Sequence, residues 1–219
     1  KIAEGELKGT EAFINNWPIG DSIGPLVAAS LVDKSSEIAE DIMMGEADIE
    51  GRHCFVLKAK GEGPHLGRTD EAIIKIMKKN RISRVITVDA GQKLEGEKSG
   101  SVAEGVGFAM GGWAQREMIE GVLLAKGIPI DGIVIKVGMT EAIEPMKKEI
   151  FQSMPRVQEL VKKSVRRAKK GDKIILIGVG NSSGTGDNKK SIEGTKKVVE
   201  ELHRKYKKEE ASKKKGSWI

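Results

Sequence analysis

Two aspartates stand where a chain of strands and loops would present chemistry. Asp21 lies in Asn15-Asn16-Trp17-Pro18-Ile19-Gly20-Asp21-Ser22-Ile23-Gly24-Pro25, a polar, glycine-punctuated stretch leading into the apolar run Ile23–Val32. Asp89 directly follows Arg84-Val85-Ile86-Thr87-Val88, a β-branched run that predicts a strand ending at the carboxylate. Taken singly, each has a plain structural role. Asp21 would cap the helix that Gly24-Pro25 opens, and Asp89 would be a polar strand end. On neighbouring strands, two such carboxylates could share a proton, which splits their apparent pKa values, or hold one divalent metal ion through oxygen. Either arrangement can activate a water.

Three further stretches offer binding partners for that pair, and Asn16 belongs to the first loop itself. Gln92 to Gly105 is acidic and glycine-rich. Glu95, Glu97 and Glu104 could complete an acidic site with Lys93 as counter-charge, or the whole stretch is a solvated, flexible loop. His65, within Gly61-Glu62-Gly63-Pro64-His65-Leu66-Gly67-Arg68, follows another strand end and could face the same crevice, or it is an exposed loop histidine. Gly178-Val179-Gly180-Asn181-Ser182-Ser183-Gly184-Thr185-Gly186-Asp187-Asn188 separates a strand from a helix. Backbone N–H groups around Gly180, Asn181 and Ser182 could cradle an anion there. The alternative is a flexible turn capped by Asp187 or Asn188. The stretch is neither a P-loop nor a clean G-x-G-x-x-G.

The elements that must position these groups alternate along the chain. Cys54–Leu57 reads as a strand paired with the segment before it, and Asp70–Lys79 as a helix with Ile73, Ile74, Ile76 and Met77 inward. After the strand that ends at Asp89, a glycine-rich stretch from Gly91 to Gly112 precedes a helix over Trp113–Lys126. Ile133–Ile135 is the next strand, followed by a helix or broken helix from about Glu141 to Lys170. Ile174–Ile177 is the last strand, before a Lys/Glu-rich helix. Strands alternating with helices, several of them continuous apolar runs, predict an α/β fold: a single doubly wound, mostly parallel sheet flanked by helices. Ligands of such sheets bind outside the carboxyl ends of the strands, which is why the loops after the apolar runs are singled out. One domain over residues 1–205 and a basic, disordered tail over 206–219 are expected.

Composition narrows the classes. At 219 residues the chain can bury roughly 70% of its unfolded surface and needs no staple. Its single cysteine, Cys54, excludes a disulfide framework and a multi-Cys zinc site, and its strand setting makes it a small buried hydrophobe. The formal charge of +6 comes from 38 Lys+Arg against 32 Asp+Glu, with the excess in Lys162–Lys170 and the tail. With 4% aromatic residues and no recognition motif, nucleic acid is not the expected partner. A basic tail could meet an anionic membrane surface instead. No apolar run approaches a bilayer span, and no signal peptide is visible. The expected location is cytoplasmic, with membrane attachment only through a segment upstream of Lys1 or through the basic tail. Trp17 is expected beside the first loop, Trp113 at a helix start and Trp218 in the tail. Oligomeric state is not legible.

Asn16-Trp17 through Gly20-Asp21-Ser22-Ile23-Gly24-Pro25-Leu26-Val27 resembles the opening signature of the spore germination protease, an Asn-Trp, a short loop, then Asp-x-hydrophobic-Gly-Pro-Leu-Val. Val85-Ile86-Thr87-Val88-Asp89-Ala90 is similar to that family's second signature, a hydrophobic strand ending in Asp-Ala. Hydrogenase-maturation endopeptidases share the fold and carry an acid at each matching position. Their Glu-Pro helix start resembles Thr140-Glu141-Ala142-Ile143-Glu144-Pro145, so the likeness spans Phe13 to Val165. It implies a phosphorylase/hydrolase-like α/β fold, with Asp21 and Asp89 in cleavage of a protein or peptide substrate. In the hydrogenase endopeptidases the acids and a later histidine contact a metal. No histidine lies between Asp89 and Asp131, so a three-ligand site would need His65 or a glutamate. Gly178-Val179-Gly180-Asn181 resembles the Gly-x-Gly-Asn turn of these endopeptidases, but at the other end of the chain. The whole chain also resembles an archaeal family of uncharacterised proteins with a domain of unknown function. The resulting expectation is a peptidase-like hydrolase built on the aspartate pair. The alternative is a catalytically inactive ligand- or anion-sensing domain.

Overall fold

The computed structural model describes residues 2–107 and 113–216. Its strands are β1 (Ser35–Ala39), β2 (Ile42–Ile49), β3 (Arg52–Ala59), β4 (Ile82–Gln92), β5 (Val102–Val106), β6 (Ile130–Val137) and β7 (Lys173–Gly178). They form one sheet in the order β1-β2-β3-β7-β4-β6-β5. The central β3, β7, β4 and β6 are parallel, while β1-β2-β3 and β5-β6 pair antiparallel. The helices are α1 (Ile2–Ile14), α2 (Ile23–Ala29), α3 (Thr69–Lys79), α4 (Trp113–Ala125), α5 (Met139–Ile143), α6 (Lys148–Phe151), α7 (Met154–Val165) and α8 (Ile192–Gly216). This is the α/β class that the strand and helix alternation predicts, with a parallel centre.

Period-2 patterning assigns each strand residue to a layer. Ile174 and Leu176 of β7 join Ile86 and Val88 of β4 in the core under α2, α7 and α8. Ile175 and Ile177 join Val85 in the core under α3 and α4. The amphipathic α7 contributes Val157, Leu160, Val161 and Val165, one helical stripe, to the first layer. Cys54 is wholly buried there, and loss of hydration pushes its thiol up to about 12, so it is inert packing. The β2-β3 hairpin turns on Glu50-Gly51, both at positive φ (55° and 76°), as a two-residue primed turn requires.

Three elements differ from the expected ones. Asp21 follows a helix, α1, that no hydrophobic period announces: it presents Gly5, Gly9 and Ala12, a narrow small-residue face, to the α5 segment. A Cβ on Gly9 would already stand 3.1 Å from the Ile143 carbonyl. The stretch Gln92–Gly105 is not all loop, since β4 runs on to Gln92 and β5 adds an edge strand against β6. Residues 108–112 of the glycine-rich stretch lie outside the described residues. The composition suggested a disordered tail from residue 206, yet α8 continues to Gly216. Trp218 lies outside the described residues. No helix among the described residues is long and apolar enough to cross a membrane.

Candidate active site

Asp21 and Asp89 meet because α2 comes down directly on the carboxyl ends of β4 and β7. Gly24 allows that approach: a Cβ there would lie 2.1 Å from the Val179 carbonyl oxygen and 2.5 Å from that of Val88. Beneath it, the Val179 N–H donates to the Val88 carbonyl at 2.8 Å, extending the β4-β7 ladder by one bond. Asp21 sits in the 3₁₀ turn Gly20–Ser22 that leads into α2. It does not cap α2. Its Oδ2 instead accepts the Asn181 N–H at 2.7 Å, from the loop that follows β7.

Among the described residues no ion pair reaches the Asp21 or the Asp89 carboxyl, and Asp89 is only 7% exposed. Burial, then the neighbouring Asp21 charge, push Asp89 up to about 8, against the opposing N–H of Ala90. Burial also raises Asp21, offset in part by the Asn181 N–H. Near neutral pH Asp89 therefore keeps its proton, and the Asp21 carboxyl is pushed in the same direction. Among the described residues no group of three or more His, Cys, Asp or Glu side chains could hold a metal ion.

The loop after β7 is packed rather than open. Ser182, Ser183 and Thr185 are fully buried. The Ser182 hydroxyl lies 2.5 and 2.8 Å from the Lys60 and Gly63 carbonyls, and its N–H donates to the His65 carbonyl. The Ser183 N–H donates to Asn181 Oδ1, its hydroxyl donates to the Trp17 carbonyl, and its own carbonyl accepts the Ser22 hydroxyl. Asn181, Ser182, Ser183 and Gly184 thus spend their N–H groups inside the protein. Gly180, at φ 123°, lets this loop touch the Asp21 carbonyl, 2.2 Å from where a Cβ would be. His65 turns its Nδ1 to the Lys60 carbonyl at 2.9 Å, and its Nε2 is 3.9 Å from Asp41.

Residues 19–186 match the family described as "Domain of unknown function (DUF1512) C-terminal", a span holding both aspartates and most of this loop. The chain belongs to that family. The DUF1512 chain is similar in structure to a proteasome-assembly chaperone homologue of Mycobacterium tuberculosis. The two share 12% identity at a TM-score of 0.41, over 71% of this chain and 92% of that one. It is also similar to a protein of unknown function from Corynebacterium glutamicum ATCC 13032, at 13% identity and a TM-score of 0.33, over 78% of this chain and 67% of that one. No curated protein matches it in sequence.

The remaining candidates of the DUF1512 chain lie elsewhere. Asp187 Oδ1 accepts the buried Lys58 ammonium at 2.6 Å and the Gly61 N–H at 2.8 Å, pinning the loop after β3 to the loop after β7. Asn16 is exposed at φ 50° past the end of α1. Half-buried Trp17 beside it carries the Lys205 ammonium 5.3 Å from its ring centroid. Glu104 of β5 pairs with Lys163 at 2.5 Å and Arg167 at 3.3 Å, on the α7 side. Glu95 is exposed, and Glu97 accepts the Leu94 N–H at 2.7 Å and faces Lys136 at 3.4 Å. Lys93 reaches Ser99 at 2.8 Å and Glu141 at 3.3 Å.

Sequence reasoning did not single out two buried acids, Glu141 and Asp131. Burial raises Glu141, but hydrogen bonds from Lys147, Ser99 and the Gly138 N–H, with the Lys147 charge, overcome it and hold the carboxyl at about 2. Asp131 is held by Arg84 at 2.8 Å, Arg167 at 2.9 Å and the Ser164 hydroxyl. The legible signal for Lys58 was a lysine inside an apolar strand run, Phe55-Val56-Leu57-Lys58-Ala59. A charge so placed demands a buried partner.

Proposed function

We propose that this domain is a hydrolase of the peptidase kind, in which Asp21 and Asp89 act as a proton-sharing pair on a protein or peptide substrate. One observation carries the reading: a buried Asp89 carboxyl that feels the half-buried Asp21, has no cation partner among the described residues and is held protonated up to about pH 8. That is an expensive arrangement to keep, and a proton-transfer role accounts for it. Asp21 carboxylate takes a proton from a water as that water's oxygen attacks the scissile carbonyl carbon. Asp89 gives its proton to the carbonyl oxygen, forming a neutral tetrahedral diol. The proton on Asp21 then passes to the leaving nitrogen as the C–N bond breaks, and a diol proton returns to Asp89. No metal is required for these steps. The likeness of the loops at Asp21 and Asp89 to germination-protease signatures supports the same assignment, by resemblance alone.

Incubating the chain with a mixed-sequence peptide library, and reading new termini by mass spectrometry, tests the reading. Cleavage by the wild type should fall by about 10³-fold or more in both Asp21→Asn and Asp89→Asn, with folds intact by circular dichroism. Activity should also decline as pH rises through about 8, where Asp89 loses its proton. No cleavage by wild type across pH 4–9, or cleavage equal in the variants, refutes it.

A further inference from the structure

A cavity of about 770 Å³, lined by neither aspartate, opens between the loop after β4, the α5–α6 segment and α8. Its size suits a small organic ligand. Its carboxylates are largely neutralised in place: Glu141 by Lys147 at 2.7 Å and Lys93 at 3.3 Å, Glu144 by Lys8 at 3.8 Å, Glu97 by Lys136 at 3.4 Å. That leaves Lys98, Lys148 and Lys207 lining it with no carboxylate partner among the described residues, against Glu149 as the one acid without a cation there. Buried Pro145, Met146 and Leu202 supply an apolar wall.

A second observation points to a ligand. Tyr206 lines the same cavity, and its Oη is buried with no hydrogen-bond partner among the described residues. Burial, then the charges of Glu11, Glu209 and Glu144, push the phenol up to about 12, so it remains an O–H donor. A buried donor left unmet costs about 1–3 kcal/mol, and an acceptor atom on a bound molecule would recover it.

We propose that this cavity binds a phosphate-bearing organic anion of nucleotide size. Lys98, Lys148 and Lys207 hold its phosphates, and its uncharged body lies against Pro145, Met146, Leu202 and the Tyr206 hydroxyl. The site does not depend on whether the acid pair turns over substrate. It is, however, tied through the backbone to the loop that carries Asp21. The Gly20 N–H donates to the Glu144 carbonyl at 3.2 Å, and the Met146 N–H donates to the Pro18 carbonyl at 2.7 Å. The segment that lines the cavity therefore also carries the Asp21 loop. Another lysine-rich cavity, about 730 Å³ at the starts of β4, β6 and β7, is a weaker candidate. Its Lys79 and Lys126 sit at the carboxyl ends of α3 and α4, where cations already serve the helix carbonyls.

Isothermal titration of the full chain with ATP, and separately with inorganic tripolyphosphate, tests the site. ATP should bind, and more tightly than tripolyphosphate. Combined Lys98→Glu, Lys148→Glu and Lys207→Glu should raise the ATP Kd at least tenfold, roughly 1.4 kcal/mol. Tyr206→Phe should weaken ATP several-fold without lowering the melting temperature of the ligand-free protein. Lys126→Glu with Lys169→Glu, in the other cavity, should leave the Kd unchanged. No binding of ATP at about 1 mM overturns the proposal. So does an unchanged Kd in the triple variant, a Kd that follows the Lys126/Lys169 pair instead, or tripolyphosphate binding as tightly as ATP.

Discussion

Asp89 and Glu141 are both buried carboxyls, 7% exposed each, and the fold perturbs them in opposite directions. Glu141 accepts from two lysines, a serine and a backbone N–H, and its carboxyl is held at about 2. Asp89 has a second acid for a neighbour and rises to about 8. The first arrangement is what a structural carboxylate looks like: it ties β4's end to α5 and satisfies itself. The second leaves a proton at neutral pH in a place where, among the described residues, no cation pairs with the carboxyl. Burial alone does not mark a chemical site; burial without compensation does.

The severest way to break this comparison is to remove the close approach that makes the acid pair. Gly24→Ala places a Cβ against the Val88 and Val179 carbonyl oxygens, and should cost about 4 kcal/mol or prevent folding. Denaturant unfolding reads it, and near-wild-type stability would mean that α2 does not press on the strand ends. Glu141→Ala comes next, at about 3 kcal/mol lost at pH 7, because it strips Lys93, Lys147 and Ser99 of their shared acceptor. A depressed folded pKa stabilises above the unfolded value of 4.5, so this difference from wild type should vanish as pH falls from about 4.5 to about 2.

Asp89→Asn should act with the opposite sign. Below about 4 folded and unfolded chains both hold the Asp89 proton; between about 4 and 8 only the folded chain does. Wild-type stability therefore declines over that window, and Asp89→Asn should gain on it by about 2 kcal/mol at pH 7. That is less than the full shift would allow at ~1.4 kcal/mol per unit, since the amide must be buried too. Thermal melts from pH 3 to 9 would show it, and parallel curves would remove the case for an uncompensated acid. The smallest effect is expected from Asp21→Asn. Losing the Asp21 charge should lower the Asp89 pKa by about one unit, read by carboxyl-labelled NMR titration.

Local signals carried the β-branched strands and the helix at Asp70–Lys79, and left Glu141–Lys170 open between one helix and a broken one. The strand expected to end at Asp89 runs three residues further, to Gln92, because Ala90, Gly91 and Gln92 still pair with β6. What was hidden needed partners far along the chain. In α1 the buried face is Gly5, Gly9 and Ala12, which no hydrophobic period reveals. In β5 the residues Val102-Ala103-Glu104-Gly105-Val106 are half-buried or exposed, and only their pairing with β6 makes them a strand. The loop after β7 reads as flexible from its glycines and serines. Its hydroxyls nevertheless answer carbonyls of Trp17, Lys60 and Gly63, more than a hundred residues away. The same is true of Lys58, whose strand position was legible and whose partner Asp187 was not.

The seat of β7 has a consequence for the order of events during synthesis. This strand is last in sequence yet lies between β3 and β4, so neither half of the sheet has its final neighbour until Lys173–Gly178 emerges. A ribosome adding about 5–20 residues per second exposes the open edges of β3 and β4 for several seconds first. Asp21 and Asp89 are both made early, but the Asn181 N–H that one accepts and the Val179 link beside the other arrive only after β7. The Asp21 loop and the Asp89 strand thus gain these two ties to each other's neighbourhood only once the final strand has been made.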